Sequence, residues 1–484
     1  MAPSNIDNHF QAIWRRALNG PSLGTLTPEL IQLWARERGL DVTHVEERDV
    51  GVFAKTPAIV LTVANVNACF PKIPVNGDSN WEFRRQAAEA NAALWEKMEW
   101  FSPLWIPMGE VGKILNDAKN CSRERAIELF NYHTSTLYTV PFQAVCIAQI
   151  LPQAHSLTEF CSLAREAFLA FYSGYRASSI SALIPAIEGS LTRIVSGSGD
   201  DLPISTKIDR AIDRAIESAA RLHYEQMWAP QDYLSKDYLF GQDERVFTFE
   251  TFRRWLQKSF FRKTGEYDGV TWLNRHMFAH GTDSSWQQSA NFSRLVVALS
   301  TLAVIESWHD ETHLVPFFFP EMNEDSKLLW QQGLFQGHAQ MSLKMIEQQH
   351  YQKHGRLVPE MPTDDGVLLR KAILSDDCIK DLVRPLRDAG WKVEVGEPDE
   401  RALYVTVVAS ADGERFGAAL LYSCATENNI YRKLAETADA ILYRGAPYHQ
   451  QQYAYGINVH VGPVTGWQPP VASNRKHVRL SNPL

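Results

Sequence analysis

The sequence predicts a mainly α-helical protein with a mixed N-terminal region and a C-terminal α+β domain. Residues 122–354 are dominated by helix formers with apolar positions at helical spacing. Residues 366–484 instead contain short strand-like runs around Asp412-Gly413, a dipeptide typical of β-hairpin turns. The first 125 residues mix the two patterns. We therefore predict an N-terminal mixed α/β region at 1–125, a helical domain at 126–353 and an α+β domain at 366–484.

Three elements are predicted in the N-terminal region. The segment "ELIQLWARERGL" (29–40) predicts a helix that ends at Gly39. The segment "AIVLTVANVNACF" (58–70) is rich in β-branched residues, which favours a strand. The segment "WEFRRQAAEANAALWEKMEWF" (81–101) predicts a second helix. No function follows from these patterns.

The central region predicts successive helices with short connections, an arrangement typical of an up-and-down bundle. The run Leu295–Ile305 is too short to cross a bilayer, so we expect it in a buried helix. The predicted helices cover residues 157–175, 179–197, 204–228, 248–263, 289–308 and 324–353.

A predicted linker at His354–Gly366, with two prolines and two glycines, precedes the C-terminal domain. The next segment predicts a helix that begins after Ser375 as N-cap and ends before Gly390. Further along we expect strands at 391–395, 402–410 and 415–425, a helix at 427–445 and a final strand at 456–462.

Composition limits the functional classes. The net charge of −8 excludes a strongly basic nucleic-acid coat but not a local basic patch. The six cysteines are scattered without a CxxC pair, which favours a reducing compartment and no disulfide framework or structural zinc. The N-terminus lacks a basic segment followed by an apolar run, so no signal peptide is predicted. We therefore expect a cytoplasmic protein that does not associate with a membrane.

The stretch "LNRHMFAHGTD" (273–283) concentrates Arg275, His276 and His280 before Gly281. Histidine moves protons near neutral pH, and arginine binds phosphate through two parallel hydrogen bonds. Together they are the minimum for metal-free RNA cleavage, in which a ribose 2′-OH attacks the adjacent phosphorus. Residues five apart on a helix point roughly 140° apart. Arg275 and His280 therefore converge only if one lies in a loop at the helix start, or if two copies meet in a dimer.

A structural explanation of the same stretch is a helix C-terminus, with His280 near the last carbonyl groups and Gly281 just beyond the end. A metal site is a second alternative, because His276 and His280 are four residues apart, as are His309 and His313. The first pair lacks the glutamate of the zinc motif H-E-x-x-H.

The residues "NRHMFAHG" resemble the R-x4-6-H motif of the HEPN (higher eukaryotes and prokaryotes nucleotide-binding) superfamily. Its members are helical bundles, many of them metal-independent RNases of toxin, abortive-infection and other anti-phage systems. The resemblance implies that Arg275 and His280 are the catalytic pair, supported by His276 and Asn274. The segment "ALIPAIEGSLTRI" (182–194) resembles the family's apolar helix with an acidic-glycine pair, in which Glu188 is the acid. The likeness covers roughly residues 150–310 and implies a homodimer.

The function that this resemblance implies is a metal-independent, cofactor-free endoribonuclease, with a C-terminal domain that binds a trigger or an inhibitor. Two alternatives remain open. One is a non-catalytic HEPN-like module that binds nucleic acid or protein. The other is a metal-dependent hydrolase that uses the paired histidines.

A basic segment precedes the motif. "TFRRWLQKSFFRK" (251–263) has five basic residues and no acid. Arg254, Lys258 and Arg262 recur every four residues and would form one stripe on a helix. We expect either an ordinary solvated face or a track for the RNA phosphate backbone.

Overall fold

The computed structural model describes residues 5–75, 79–195, 202–281, 284–309, 318–355, 366–445 and 453–472. These residues confirm a mainly helical protein that ends in a small domain built on a mixed sheet. The chain divides into two compact units. The first contains Met1–Phe171 and Tyr175–Leu334, and the second contains Tyr172–Gly174 and Phe335–Leu484. The first unit thus takes in the predicted N-terminal region as well as most of the predicted helical region.

The first unit begins with helices and a three-stranded antiparallel sheet. Its strands are β1 (Val42–Val50), β2 (Thr56–Val63) and β3 (Val66–Pro71), in the order β1-β2-β3. The expected strand at 58–70 is therefore two strands, which turn at Ala64 with a left-handed φ of 53°. The helices are α1 (Asn5–Leu18), α2 (Pro28–Glu37), α3 (Ser79–Lys97), α4 (Met108–Lys119) and α5 (Arg123–Leu137). The two helices expected here, α2 and α3, are confirmed.

Helices dominate the rest of this unit, as expected. They are α6 (Val140–Val145), α7 (Cys161–Tyr172), α8 (Arg176–Ile194), α9 (Ile204–His223), α10 (Lys236–Leu239), α11 (Glu244–Trp255), α12 (Arg275–His280) and α13 (Ser289–Ser307). Two of them continue as π-helical turns, α6 through Cys146–Ile150 and α11 through Leu256–Phe260. Short 3-10 turns occupy Leu23–Thr25, Leu151–Gln153, His155–Phe160, Gln231–Leu234, Thr264–Glu266 and Ser285–Gln287.

Helix α13 forms the centre of the unit and packs against α5, α8 and α9. Every residue from Leu295 to Ile305 is buried, so the expected buried helix is confirmed. Among the described residues, α13 is also the one helix whose length and apolarity would suffice to span a bilayer, but 83% of that window is buried inside the protein. Such burial is typical of a core helix.

The second unit carries a five-stranded mixed sheet in the order β4-β5-β6-β7-β8. Its strands are β4 (Lys392–Val395), β5 (Tyr404–Ala411), β6 (Glu414–Leu421), β7 (Ala440–Tyr443) and β8 (His460–Pro463). The first three are antiparallel and the last three are parallel. The hairpin expected at Asp412-Gly413 is confirmed, with left-handed φ angles of 44° and 89°. Its helices are α15 (Gly366–Cys378), a π turn at Ile379–Val383, α16 (Arg384–Asp388) and α17 (Asn428–Ala435).

Two predictions for this unit were wrong. Ser375 does not cap a helix, because α15 already begins at Gly366 and the apolar run after it carries the helix through Ser375. The segment 427–445 is not one helix, because α17 ends at Ala435 and Ala440–Tyr443 pairs in parallel with β6. The second half of this segment is a strand because it pairs with β6, which lies earlier in the chain. Residues 356–365 of the predicted linker lie outside the described residues.

Helix α14 (Glu324–His354) runs for 31 residues, close to the predicted 324–353. Its last turns belong to the second unit. The hydroxyl of Tyr422 donates to the carbonyl of Gln348 over 3.0 Å, and the amide of Gln352 donates to Asp377 over 2.8 Å.

Candidate active site around Arg275 and His280

The motif forms a short helix, α12, with a well-defined start and end. The side-chain oxygen of Asn274 accepts hydrogen bonds from the backbone N–H groups of His276 and Met277, both over 2.9 Å. These two bonds satisfy N–H groups that lack partners within the helix. The helix ends six residues later at Gly281, whose φ of 61° is the left-handed conformation that glycine adopts most readily. The helix end that the structural explanation of this stretch predicts at Gly281 is therefore present.

Asn274 also ties this helix to the end of the preceding one. The residue is completely buried. Its amide donates to the backbone carbonyls of Ser259, over 2.6 Å, and Arg262, over 2.9 Å. Ser259 lies in the π turn that follows α11. One side chain therefore caps α12 and fixes its position, which gives the asparagine before Arg275 a physical reason.

Glu99, from the N-terminal region, holds the loop that leads into the motif. The residue is 2% exposed. Its carboxylate accepts hydrogen bonds from Val270 N (2.6 Å), Thr271 N (3.0 Å), Thr271 Oγ1 (2.7 Å) and Arg123 Nη2 (3.0 Å). The next residue, Trp272, has a left-handed φ of 54°. Such a conformation persists only where surrounding contacts hold it, and the Glu99 bonds supply contacts of that kind.

Helix α13 contributes two further buried residues to this support. Asn291 donates to the carbonyl of Thr271 over 2.8 Å, and Arg294 donates to Asn291 over 3.2 Å. Arg294 is completely buried and lies over the rings of Trp100 and Phe130. Burial lowers the pKa of its guanidinium to about 10, although the nearby carboxylate of Glu99 opposes this shift.

Sequence reasoning missed Glu99, Asn291 and Arg294. Glu99 is 172 residues from the backbone it holds, and no spacing rule links such positions. The one local signal is a polar side chain inside an otherwise apolar run: Glu99 in "MEWF", and Arg294 beside "LVVAL".

Arg275, the first residue of α12, pairs with Glu188 on α8. Its Nε donates to Glu188 Oε2 over 2.8 Å, and the two side chains are 36% and 37% exposed. The resemblance paired Glu188 with Gly189, and the glycine has a packing reason. A Cβ atom there would lie 2.6 Å from the ring of Phe160. The structure therefore brings the expected acid against the expected arginine.

His276 and His280 differ in environment although both lie on α12. His276 is partly buried, whereas His280 is exposed. Partial burial, and then the charges of Arg275 and His280, lower the pKa of His276 below its usual value of 6.5. His276 is consequently neutral at physiological pH. We call Arg275, His276, His280 and Glu188 the motif cluster.

Arg275 and His280 are the first and last residues of one short helix. On ideal helical geometry they point roughly 140° apart and are separated by about 7.5 Å along the axis. The geometric limit seen in the sequence therefore applies to the folded chain. By this geometry, a single copy would not aim both side chains at one point.

The basic stripe does not form as expected. Arg254 pairs with Glu89 on α3 over 2.9 and 3.2 Å, and Lys258 pairs with Glu96 over 2.8 and 2.9 Å. Hydrogen bonds from Arg254 in turn lower the pKa of Glu89. The π turn ends at Phe260, so Arg262 lies beyond the helix instead of extending its face. Carboxylates from α3, invisible in the local sequence, neutralise two of the three cations proposed to contact RNA.

The histidine pairs do not collect a ligand set in the described part of the chain. Those residues contain no group of three His, Cys, Asp or Glu side chains that could hold a metal ion. His309 instead contacts the backbone carbonyl of Ala211 over 2.6 Å. Its predicted mate, His313, lies outside the described residues.

A second set of ionisable residues in the first unit is fully enclosed. Asp243, the N-cap of α11, is 0% exposed and contacts His223 over 2.8 Å. It also accepts a hydrogen bond from Arg245 Nε over 2.9 Å and forms an ion pair with the same guanidinium. We call Asp243, His223 and Arg245 the buried cluster. Burial alone would raise the pKa of Asp243, but hydrogen bonds from Arg245 and His223 hold it below its usual value.

Comparison with models of known protein families finds no match for the chain. Neither a comparison with curated proteins nor one with solved structures finds a match. The motif residues and their surroundings are therefore the basis for assigning a function to this chain.

Proposed function

We propose that the protein is a cytoplasmic, metal-independent HEPN-type endoribonuclease, acting as an anti-phage, abortive-infection or toxin effector. Arg275 would bind the scissile phosphate and His280 would transfer protons. Asn274, His276 and Glu188 would support them. The helical fold of the first unit is compatible with a HEPN-like bundle, and that assignment is part of the proposal.

One observation carries the proposal: the two reactive side chains are accessible, while the backbone that holds them is fixed. Arg275 is one-third exposed and His280 is exposed. Asn274 and Glu99, which position the helix and its entry loop, are buried. Active sites combine reachable reactive groups with rigid support in this way, because catalysis depends on preorganised geometry.

The proposed cleavage accounts for every proton and every bond formed or broken without a metal or a cofactor. One imidazole takes the proton of a ribose 2′-OH as that oxygen forms a bond to the adjacent phosphorus. The bond from phosphorus to the 5′-oxygen breaks, and this oxygen receives a proton from an imidazolium. Arg275 stabilises the charge that develops on the phosphate oxygens. The products end in a 2′,3′-cyclic phosphate and a 5′-OH.

A composite site in a homodimer completes the proposal. Because Arg275 and His280 diverge on α12, two "NRHMFAHG" stretches facing each other would supply Arg275 from one copy and His280 from the other. Such an interface is self-complementary about a two-fold axis.

The test is cleavage of a labelled RNA by the purified wild type, Arg275→Ala, His280→Ala and a control, His460→Ala, in which an exposed histidine of the second unit is removed. Each motif variant should lose about 10²–10⁴ in rate, the usual contribution of such groups, and the control should lose nothing. The same sequence with 2′-deoxyribose should resist cleavage, and EDTA should not inhibit.

The alternatives give other outcomes in the same assay. RNA that binds but is not cut by the wild type indicates the non-catalytic binding module. Inhibition by EDTA, with 3′-OH products, indicates the metal-dependent hydrolase and contradicts the roles proposed for Arg275 and His280.

The C-terminal domain is proposed to bind a trigger or an inhibitor. The division of the chain at Leu334 and Phe335 indicates where to truncate, since the last turns of α14 contribute Gln348 and Gln352 to the second unit. A truncation after Leu334 should be either constitutively active or unresponsive. If its toxicity and RNA cleavage match those of the full chain, with and without stress, the domain is neither sensor nor brake.

A further inference from the structure

Trp272 has a strained backbone and a partly exposed side chain. Its φ of 54° is left-handed, a conformation that bulky side chains rarely adopt. The residues on either side are buried, Thr271 at 2% and Leu273 at 1% exposure, whereas Trp272 is only partly buried. The fold therefore maintains an unfavourable conformation in which a large apolar ring remains in contact with solvent. Strain of this kind is concentrated at functional sites.

The neighbouring residues hold Trp272 in this conformation. The buried carboxylate of Glu99 accepts hydrogen bonds from the N–H and the hydroxyl of Thr271, over 3.0 and 2.7 Å. The amide of Asn291 donates to the carbonyl of Thr271 over 2.8 Å. On the other side, the backbone N–H of Asn274 donates to the carbonyl of Trp272 over 2.8 Å. The backbone of Trp272 is thereby attached to the same residue that caps α12.

A second tryptophan with a left-handed backbone differs from Trp272 in its packing. Trp105 has a φ of 64°, and its ring packs against Phe142 and Phe319, with centroids 6.4 and 5.4 Å apart. Within the described residues, the ring of Trp272 contacts one aromatic ring, that of Tyr267, edge to face with centroids 6.1 Å apart. An edge-to-face contact leaves at least one face of the indole uncovered. Aromatic packing therefore accounts for the position of Trp105 better than for that of Trp272.

We propose that Trp272 is a stacking surface for an unpaired base of the RNA whose phosphate Arg275 binds. This inference rests on the nuclease function proposed above and adds a substrate class to it, single-stranded RNA. Trp272 and Arg275 are three residues apart, so their Cα atoms lie within about 11 Å of each other. Aromatic side chains bind RNA bases by stacking where those bases are unpaired. A base held on the indole leaves an adjacent phosphate within reach of Arg275.

The charge of this segment is compatible with a polyanion, although the whole chain has a net charge of −8. Residues 262–275 contain three basic and two acidic residues. One of the acids, Asp268, forms an ion pair with Arg123 over 3.2 Å. Stacking on an aromatic ring is tolerant of sequence, because every base has a π face. We therefore expect this contact to select unpaired RNA without selecting a particular base.

The test measures RNA binding separately from cleavage, in a His280→Ala background that leaves the RNA intact. Fluorescence anisotropy compares a labelled oligoadenylate with a chain of the same length made of abasic nucleotides. Adding Trp272→Ala should weaken oligoadenylate binding about 5- to 150-fold, the range typical of one lost base–aromatic contact. Binding of the abasic chain should not change. Trp272→Phe, which keeps a ring, should retain most of the affinity, and Trp34→Ala, at a partly exposed tryptophan on α2, should have no effect on either chain.

The structure of the substrate tests the same contact without altering the protein. The wild type should cleave a labelled RNA at unpaired nucleotides and should cleave the same sequence at least about five-fold more slowly when it is paired with its complement.

The outcomes separate this inference from the nuclease itself. Cleavage of paired and unpaired RNA at the same rate, or an equal loss of affinity for both chains in Trp272→Ala, would overturn the stacking role and leave the nuclease in place. Base-dependent binding without cleavage by the wild type would support the stacking role and reject the nuclease. Unchanged RNA affinity in Trp272→Ala, with loss of self-association in light scattering, would assign the ring to a contact between copies and overturn the inference.

Discussion

The motif cluster and the buried cluster each combine an arginine, histidine and a carboxylate, yet the exposure of their ion pairs to solvent differs. In the buried cluster, Asp243, His223 and Arg245 are at most 5% exposed, and Asp243 is bonded to both partners. In the motif cluster, Arg275 and Glu188 are more than one-third exposed and share one hydrogen bond.

The difference in exposure determines which of the two arginines a ligand can reach. A phosphate that approaches Arg275 displaces one exposed carboxylate, and exposed ion pairs contribute only about 0–1 kcal/mol. A phosphate that approaches Arg245 would have to break a fully desolvated pair. The same arginine–carboxylate pairing is therefore enclosed by the fold at one place and open to solvent at the other.

The largest expected effect on stability is in the buried cluster. Asp243→Ala leaves the guanidinium of Arg245 buried without its carboxylate and removes the cap of α11. Breaking a buried ion pair costs about 3–5 kcal/mol. Urea unfolding should show this loss, while Asp237→Ala, at an 83% exposed aspartate, should change stability by less than about 0.5 kcal/mol. A change below about 1 kcal/mol in Asp243→Ala would contradict the structural role of this cluster.

The second prediction concerns Asn274. This residue is buried, like the buried cluster, but it positions the exposed motif cluster. Asn274→Ala loses a helix cap, worth about 0.5–2 kcal/mol, and leaves two buried carbonyls without their donor. Stability should fall by about 2–3 kcal/mol, and RNA cleavage by the folded protein should fall as well.

The variant Asn274→Asp separates these two functions. It keeps an oxygen that accepts from the N–H groups of His276 and Met277, but it puts a second carboxylate oxygen where the amide donated to the carbonyls of Ser259 and Arg262, which repel it. Helix α12 should therefore remain capped while its anchorage weakens. If the alanine variant cleaves RNA at the wild-type rate, the fixed backbone is not needed for activity.

The features of the site that the sequence could predict depend on residues close together in the chain. The asparagine, arginine, histidines and glycine of the motif lie within eight residues, and short-range geometry converts them into a capped helix. The fold class and most helices likewise followed from periodicity, because a helix places its apolar positions by spacing alone.

What the sequence could not predict depends on partners distant in the chain. Glu99 supports the motif loop from another region, and Glu89 neutralises Arg254 from α3, which no spacing rule detects. The strand β7 looked helical because its pairing with β6 is invisible locally. Ser375 looked like a cap because a capping residue and an interior serine of a long helix share one local pattern.

The third prediction concerns the ion pair of the motif cluster. Glu188→Gln keeps an oxygen that accepts from Arg275 Nε, so orientation is retained, but it removes a negative charge that competes with phosphate. Stability should change by less than about 1 kcal/mol. The KM for RNA should fall by up to about five-fold, the equivalent of that energy, with kcat unchanged.

Two further variants sharpen this test. Glu188→Ala loses the orienting oxygen and should lower kcat, whereas Glu166→Gln, an exposed glutamate on α7, should change neither constant. A lower kcat in Glu188→Gln would mean that the charge itself takes part in the reaction.

The smallest expected effect is the pH dependence that His276 gives to stability. Partial burial and the charges of Arg275 and His280 lower its pKa below 6.5 in the folded protein, whereas the unfolded chain retains the usual value. Protonation therefore favours the unfolded state. The stability that His276 contributes is fully present above pH 6.5 and is lost as the pH falls through the lower, folded-state pKa.

In His276→Asn this titration is absent, so the urea midpoint should fall less between about pH 7.5 and about pH 5.5 than in the wild type. His460→Asn, at an exposed histidine, should follow the wild type. If His276→Asn loses as much stability on acidification as the wild type, His276 is not held neutral by its neighbours. It would then be an additional cation beside Arg275, and the motif cluster would attract phosphate with two charges instead of one.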